Sequence, residues 1–192
     1  MLKSIISFDQ WMFLKINKDS VNPVFDLWMP LFRQPMFWIP LYLFLILFMV
    51  FNFGKKTWWW VFYGIITVGI TDTVSSKIFK PLFGRMRPCG DPAFSSSVRF
   101  LASYCGANGS FTSSHAANHF GLAMFIFITF RSFGGNWGGL FFIWAAVICY
   151  AQVYVGVHYP FDVLGGAVIG CFAGWVTANF FQQKNGLLVK PV

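Results

Sequence analysis

Residues 36–53, MFWIPLYLFLILFMVFNF, run for 18 positions without a charged side chain. A helix crosses the hydrocarbon core of a bilayer with about 20 mostly apolar residues, so this segment reads as a membrane span. The rest of the chain agrees with it. The 192 residues are 57% hydrophobic, 21% aromatic and 10% charged, with a mean hydropathy of +0.62. Soluble domains carry about 25% charged residues. An ordinary soluble enzyme is therefore excluded, and so is intrinsic disorder, which needs low hydrophobicity. The fold class expected is an all-α, polytopic helical membrane bundle.

Outward from that span, Gly54-Lys55-Lys56 makes a basic turn. A second span starts at the interfacial aromatic belt Trp58-Trp59-Trp60 and runs to about Ile78. Its second half is polar, and Asp72 within it is expected to pair with a polar group on a neighbouring span. A long loop over about 80–112 precedes spans near 113–130, 140–156 and 163–181. Before the first span, Ile5, Phe8, Trp11, Met12 and Ile16 recur at helical spacing, the pattern of a helix lying in the membrane interface. Residues 1–18 show no cleavable signal peptide. The expected organisation is an interfacial segment 1–35, a membrane domain 36–183 and a cytoplasmic tail 184–192. Five spans put the N-terminus outside; a sixth over 21–34 would put it inside.

The net charge is +8. Lys55, Lys56, Arg131, Lys184 and Lys190 fall on one side of this topology, which the positive-inside rule makes cytoplasmic. The long loop on the other side is also basic, with Lys80, Arg85, Arg87 and Arg99. Those charges are read as a site, not as a topology signal, and the partner expected is an anionic lipid, not nucleic acid. Of four cysteines, Cys149 and Cys171 lie in apolar runs. Cys89 and Cys105 share the polar loop, where a disulfide and two free thiols are both open.

Three strings carry chemistry, all on the outer side. In Lys80-Pro-Leu-Phe-Gly-Arg-Met-Arg87-Pro88, a lysine and an arginine just beyond a span suit an anion clamp. Phe111-Thr112-Ser113-Ser114-His115 opens a span, so a helix N-terminus with free N–H groups can bind phosphate, and His115 can donate a proton. His119, one turn on, is expected to be a packed interfacial side chain. In His158-Tyr159-Pro160-Phe161-Asp162, the carboxylate can reach back to the imidazole and raise the basicity of its other nitrogen, making His158 a candidate nucleophile. Together these supply what phosphoryl transfer needs. No acidic cluster is available for Mg²⁺, so a metal-free mechanism is expected.

In this order the strings resemble the motifs of the type 2 phosphatidic acid phosphatase (PAP2) family, whose core is shared with vanadium haloperoxidases. Lys-x6-Arg-Pro is met by Lys80, Arg87 and Pro88; Pro-Ser-Gly-His by Thr112-Ser113-Ser114-His115; and Ser-Arg-x5-His-x3-Asp by Ala151-Gln152, His158 and Asp162, with the Ser-Arg pair lost. The resemblance spans about residues 58–180. It implies that His158 attacks phosphorus to form a phosphohistidine, that Asp162 orients it and that His115 protonates the leaving oxygen. It also implies that Lys80, Arg87 and Ser113 hold phosphate oxygens, with the Ser114 backbone N–H. Gln152, where the family has arginine, removes a charge from this clamp; a neutral hydrogen bond is about half as strong as a charge-assisted one. Arg85 or Arg99 could stand in for that arginine in space, which the sequence leaves open.

The resemblance further implies an integral lipid phosphate phosphatase of the bacterial inner membrane, with its site facing the periplasm and no cofactor. Undecaprenyl diphosphate is the first-choice substrate; lipid A phosphate, phosphatidylglycerophosphate and phosphatidic acid are alternatives. A degenerate member that binds lipid phosphate without hydrolysis, and a transporter, are the competing readings. Oligomeric state stays open.

Overall fold

The computed structural model describes residues 2–107 and 109–188, and these are helical with no strand among them. The α-helices are α1 (Leu2–Leu14), α2 (Pro23–Phe32), α3 (Ile39–Phe53), α4 (Lys56–Thr73), α5 (Lys80–Phe83), α6 (Ser114–Gly134), α7 (Leu140–Tyr154) and α8 (Pro160–Asn185). Three stretches are long and apolar enough to cross a membrane: Pro35–Phe53, Ser114–Tyr154, which contains α6 and α7, and Pro160–Asn185. At 1.5 Å per residue, α6 and α8 are about 31 and 39 Å long, whereas α2 reaches only about 15 Å, half the hydrocarbon thickness.

The polar half of the second expected span has a physical reason. Thr67, Thr71 and Ser75 recur every fourth residue and are fully buried. Thr67 Oγ1 lies 2.6 Å from Thr177 Oγ1 on α8, Thr71 donates to Asn118 Oδ1 on α6 at 2.6 Å, and Ser75 donates to the Thr112 carbonyl at 3.0 Å. Hydrogen bonds of this kind join helices where lipid offers polar groups no partner. Asp72, expected to pair across a helix interface, instead lines an apolar cavity. After Thr73 the helix widens into a π-helical stretch, Val74–Phe79, which rotates the next turns about the axis and carries Lys80 toward the start of α6.

Helices α6 and α8 touch backbone to backbone. Gly166, Gly170 and Gly174 form one stripe of α8, and a Cβ added at each would fall 2.5 Å from the Ser113 carbonyl oxygen, 2.3 Å from that of Ala117 and 2.2 Å from that of Gly121. This contact brings the two helix starts together, and the Ser113 N–H donates to the Asp162 carbonyl at 2.9 Å.

The bundle has two chemically distinct ends. At one, Lys56 Nζ donates to the Leu187 carbonyl and Ser132 Oγ to that of Leu188, so the α3–α4 turn, the α6–α7 turn and the last described residues gather. Lys190, one of the orienting charges expected from the sequence, lies outside the described residues. At the other end α5, the loop after it, the starts of α6 and α8 and the end of α7 converge. There α1 docks with Asp9 and Phe13 buried, as is Asn17 in the π-helical turn after it, while Ile5, Phe8 and Trp11 face outward. Asn17 clamps the Tyr154 and Arg99 carbonyls at 2.8 Å each. Cys89 and Cys105 form a disulfide in the loop; Cys149 and Cys171 are free.

Overfilling a close-packed interface costs about 1–3 kcal/mol. Gly170→Ala should therefore lower the thermal midpoint in detergent by several degrees, while Gly69→Ala, whose Cβ meets nothing within 4 Å, should leave it unchanged. Equal midpoints for the two variants would remove the α6–α8 contact as a determinant of the fold.

Candidate active site

His158 lies between α7 and α8, held by its own chain. Its N–H donates to the Gln152 carbonyl at 3.3 Å and that of Val157 donates to the same oxygen at 3.1 Å, so the end of α7 folds back under the imidazole. The ring is 2% exposed. On one side Nδ1 faces Ser110 Oγ at 3.4 Å and Asp162 Oδ2 at 3.6 Å, and Ser110 donates to that carboxylate at 2.5 Å. Oxygen atoms on this side favour the tautomer with its proton on Nδ1. On the other side Nε2 faces Arg87, whose Nη1 is 3.3 Å away and also donates to the Val157 carbonyl at 3.4 Å. Burial pulls the imidazole down to about 4, against the opposite pull of Asp162, so the ring is neutral and nucleophilic at physiological pH.

Asp162 is crowded with donors. One oxygen accepts from Ser110 and from the Tyr159 N–H at 2.8 Å, the latter a cap on α8; the other accepts from Arg85 at 2.8 Å. Arg85 also bonds Asp9 of α1 at 2.6 Å and stacks its guanidinium 4.1 Å over the Tyr159 ring. Asp9 in turn accepts from the Phe161 N–H at 2.9 Å. Arg85 is thus committed to two buried carboxylates. Arg99 is committed to Asp26. Neither can stand in for the arginine missing at position 152.

The clamp residues divide. Lys80 Nζ donates to Ser114 Oγ at 2.9 Å, and Ser75 Oγ is 3.0 Å from the same hydroxyl. Arg87 lies against Gly106, where a Cβ would meet the guanidinium at 3.1 Å, so the disulfide at the adjacent Cys105 helps fix the clamp. Ser113 does not turn its hydroxyl to this cluster: the group is buried and caps α6 by accepting from the Ala116 N–H at 3.4 Å. His115 lines the nearby cavity, and His119 packs on Trp144 with its Nδ1 donating to the His115 carbonyl at 2.7 Å. Gln152 is 1% exposed, and among the described residues neither atom of its side-chain amide has a hydrogen-bond partner.

Lys80, Arg87, Ser114, His158 and Asp162 are therefore brought together from three separate parts of the chain. Sequence reasoning missed Ser110, Ser75 and Asp9. The fourfold spacing of Thr67, Thr71 and Ser75 was a readable signal for one of them, and a lone acid in an amphipathic helix for another; Ser110 gave none.

The sequence profile of the PAP2 superfamily matches residues 57–186. The chain belongs to the PAP2 superfamily. On that membership it is a membrane phosphatase. Among curated relatives of the PAP2 domain, a lipid A 4′-phosphatase of Bacteroides thetaiotaomicron is 33% identical over 81% of this chain and 69% of that protein. One of Porphyromonas gingivalis is 35% identical over 57% of this chain and 46% of that protein, so less than half of the latter's length is matched. Among solved PAP2-like structures, Aquifex aeolicus LpxE superposes with a TM-score of 0.63 at 25% identity, covering 88% of this chain and 93% of that one. A transmembrane PAP2 type phosphatidylglycerolphosphate phosphatase from Bacillus subtilis superposes with a TM-score of 0.72 at 20% identity, covering 95% and 88%, a likeness of fold.

Two outcomes are expected. Histidine-selective ¹⁵N NMR should find the His158 ring neutral down to about pH 4; protonation above pH 6 would contradict the buried, unprotonated state. Arg85→Met leaves two buried carboxylates unpaired, and breaking a buried ion pair costs on the order of 3 kcal/mol. The variant should melt earlier in a thermal scan and lose kcat by about 10–100-fold, with KM little changed, because an orienting partner is gone.

Proposed function

We propose that this protein removes a phosphate from a membrane lipid through a phosphohistidine on His158. The observation that carries this reading is the two-sided surrounding of that ring: a carboxylate and a hydroxyl at Nδ1, the Arg87 guanidinium at Nε2. Arg87 and Lys80 hold the phosphoryl oxygens beside Nε2. The Nε2 lone pair attacks phosphorus in line, the bond from phosphorus to the lipid oxygen breaks, and His115 gives that oxygen a proton. Water, deprotonated by His115, then attacks the phosphohistidine, releasing inorganic phosphate and restoring His158. Asp162, held by Arg85 and Ser110, stabilises the ring as charge develops on it.

A lipid substrate is supported by a cavity of about 810 Å³ between α3, α4, α6 and α7. Its walls include Tyr42, Leu45, Val61, Ile65 and Leu122, with Ser114 and His115 at the polar edge, so acyl chains can lie in it while the headgroup reaches the clamp. Undecaprenyl diphosphate is the expectation from sequence. The names of the two relatives move a phosphate ester of lipid A ahead of it. We further propose a bacterial inner-membrane location with five spans, residues 1–35 at the interface, residues 184–192 as a cytoplasmic tail and the site facing outward. The gathering of Lys55, Lys56, Arg131 and Lys184 at the opposite end supports this, as does a disulfide beside the site, which fits an oxidising compartment. Gln152 favours one second reading, a lipid-phosphate binder with little turnover.

Purified protein in detergent should release phosphate from lipid A faster than from undecaprenyl diphosphate, phosphatidylglycerophosphate or phosphatidic acid. Release should persist in EDTA, and acid quenching should trap a labelled phosphohistidine. His158→Ala should abolish both. Release from none of these lipids would leave the binder, and movement of lipid phosphate across a proteoliposome without hydrolysis would indicate a transporter.

A further inference from the structure

Arg33 ends α2, ahead of the region matched by the PAP2 profile. The last turn of α2 is anchored by Met29 and Phe32 on Ala151, Tyr154 and Val155, the stretch of α7 that carries Gln152. Two residues further, Pro35 lines the same cavity as His115. The side chain of Arg33 is partly buried, and its Nε is buried with no hydrogen-bond partner among the described residues. Among the described residues it makes no ion pair, in contrast to Arg85 and Arg99. Its positive charge is within Coulombic reach of both Arg87 and His115.

A guanidinium in this position is costly. It loses water, gains no counter-charge and repels a second arginine. On the stretch of chain against which α2 packs, Gln152 buries an amide whose two polar atoms have no partner among the described residues. One ligand answers the missing counter-charge, the repulsion between the arginines and the unused amide N–H donors, a multiply charged oxyanion seated between Arg33, Arg87 and Gln152. It accepts from both guanidinium groups and from the amide, and a planar fork suits its oxygens.

We infer that Arg33 is a phosphate-binding residue of this site, supplying from α2 the guanidinium that position 152 lacks. The inference rests on the phosphatase reading of the site. It makes the clamp one of Lys80, Arg87 and Arg33, and it makes residues outside the PAP2 profile a working part of the centre.

The test uses the full chain in detergent, with lipid A as substrate and inorganic phosphate as product inhibitor and calorimetric ligand. Removing one preorganised donor to a reacting oxyanion costs about 10²–10³ in rate, so Arg33→Gln should lower kcat/KM by about that factor and weaken phosphate inhibition about tenfold or more. Arg33→Lys, a charge without a fork, should fall between. Gln152→Arg placed in the Arg33→Gln protein should recover roughly tenfold or more, whereas Gln152→Arg alone, which adds a third guanidinium, should recover nothing. Unchanged kcat/KM and phosphate inhibition in Arg33→Gln would overturn the inference. So would a loss of activity that tracks a lower thermal midpoint, is equal in Arg33→Lys and is not rescued at position 152. If the unaltered protein releases phosphate from no lipid, the hydrolase reading fails separately. Calorimetry then decides on Arg33: weaker phosphate binding in Arg33→Gln sustains it, and equal or absent binding removes it.

Discussion

Helices α6 and α8 meet with their main chains in contact, and the site depends on that contact. In a bilayer no hydrophobic force drives one apolar helix onto another, so close van der Waals packing decides which helices adhere. The stripe Gly166, Gly170 and Gly174 allows this approach because nothing projects from it. Two helix starts, each with a positive dipole end, then open on one volume. His115 stands just inside one of them and His158 just before the other. The bond from the Ser113 N–H to the Asp162 carbonyl keeps them in register.

On this frame the carboxylates of Asp9 and Asp162 are answered within the protein, and two further cations, Lys80 and Arg87, gather at the same end of the bundle. Arg85 meets both Asp9 and Asp162, and Arg99 meets Asp26. Lys80 is buried and Arg87 half-buried, and a phosphate gains more from each contact where water is excluded than it would in bulk solvent. The hydroxyls of Ser110 and Ser114 complete the arrangement: one braces the carboxylate, the other orients the lysine.

Much of this was legible in the order of residues. Apolar runs marked α3, α4, α6, α7 and α8, and the fixed spacings Lys80–Arg87 and His158–Asp162 marked groups that must act together. Local spacing carries such information because one turn of helix or one loop settles the geometry. The Arg85 links to Asp9 and Asp162 span more than 70 residues each, and only the assembled bundle makes them. The same limit hid Ser110. Ser113 shows the opposite case, since a purely local demand, the cap on α6, fixes where its hydroxyl sits. The glycine stripe was written in the sequence at intervals of four, but its meaning depends on which helix lies opposite.

Asp9 lies in α1 and the Phe161 N–H it accepts from opens α8. The pair Arg85–Asp9 needs no residue beyond the loop after α5, whereas the bond from Arg85 to Asp162 needs α8 as well. A chain cut between α7 and α8 would keep the first pair and lose the second together with the carboxylate beside His158. The surroundings of that ring are therefore a property of the whole bundle, and no fragment of it carries them.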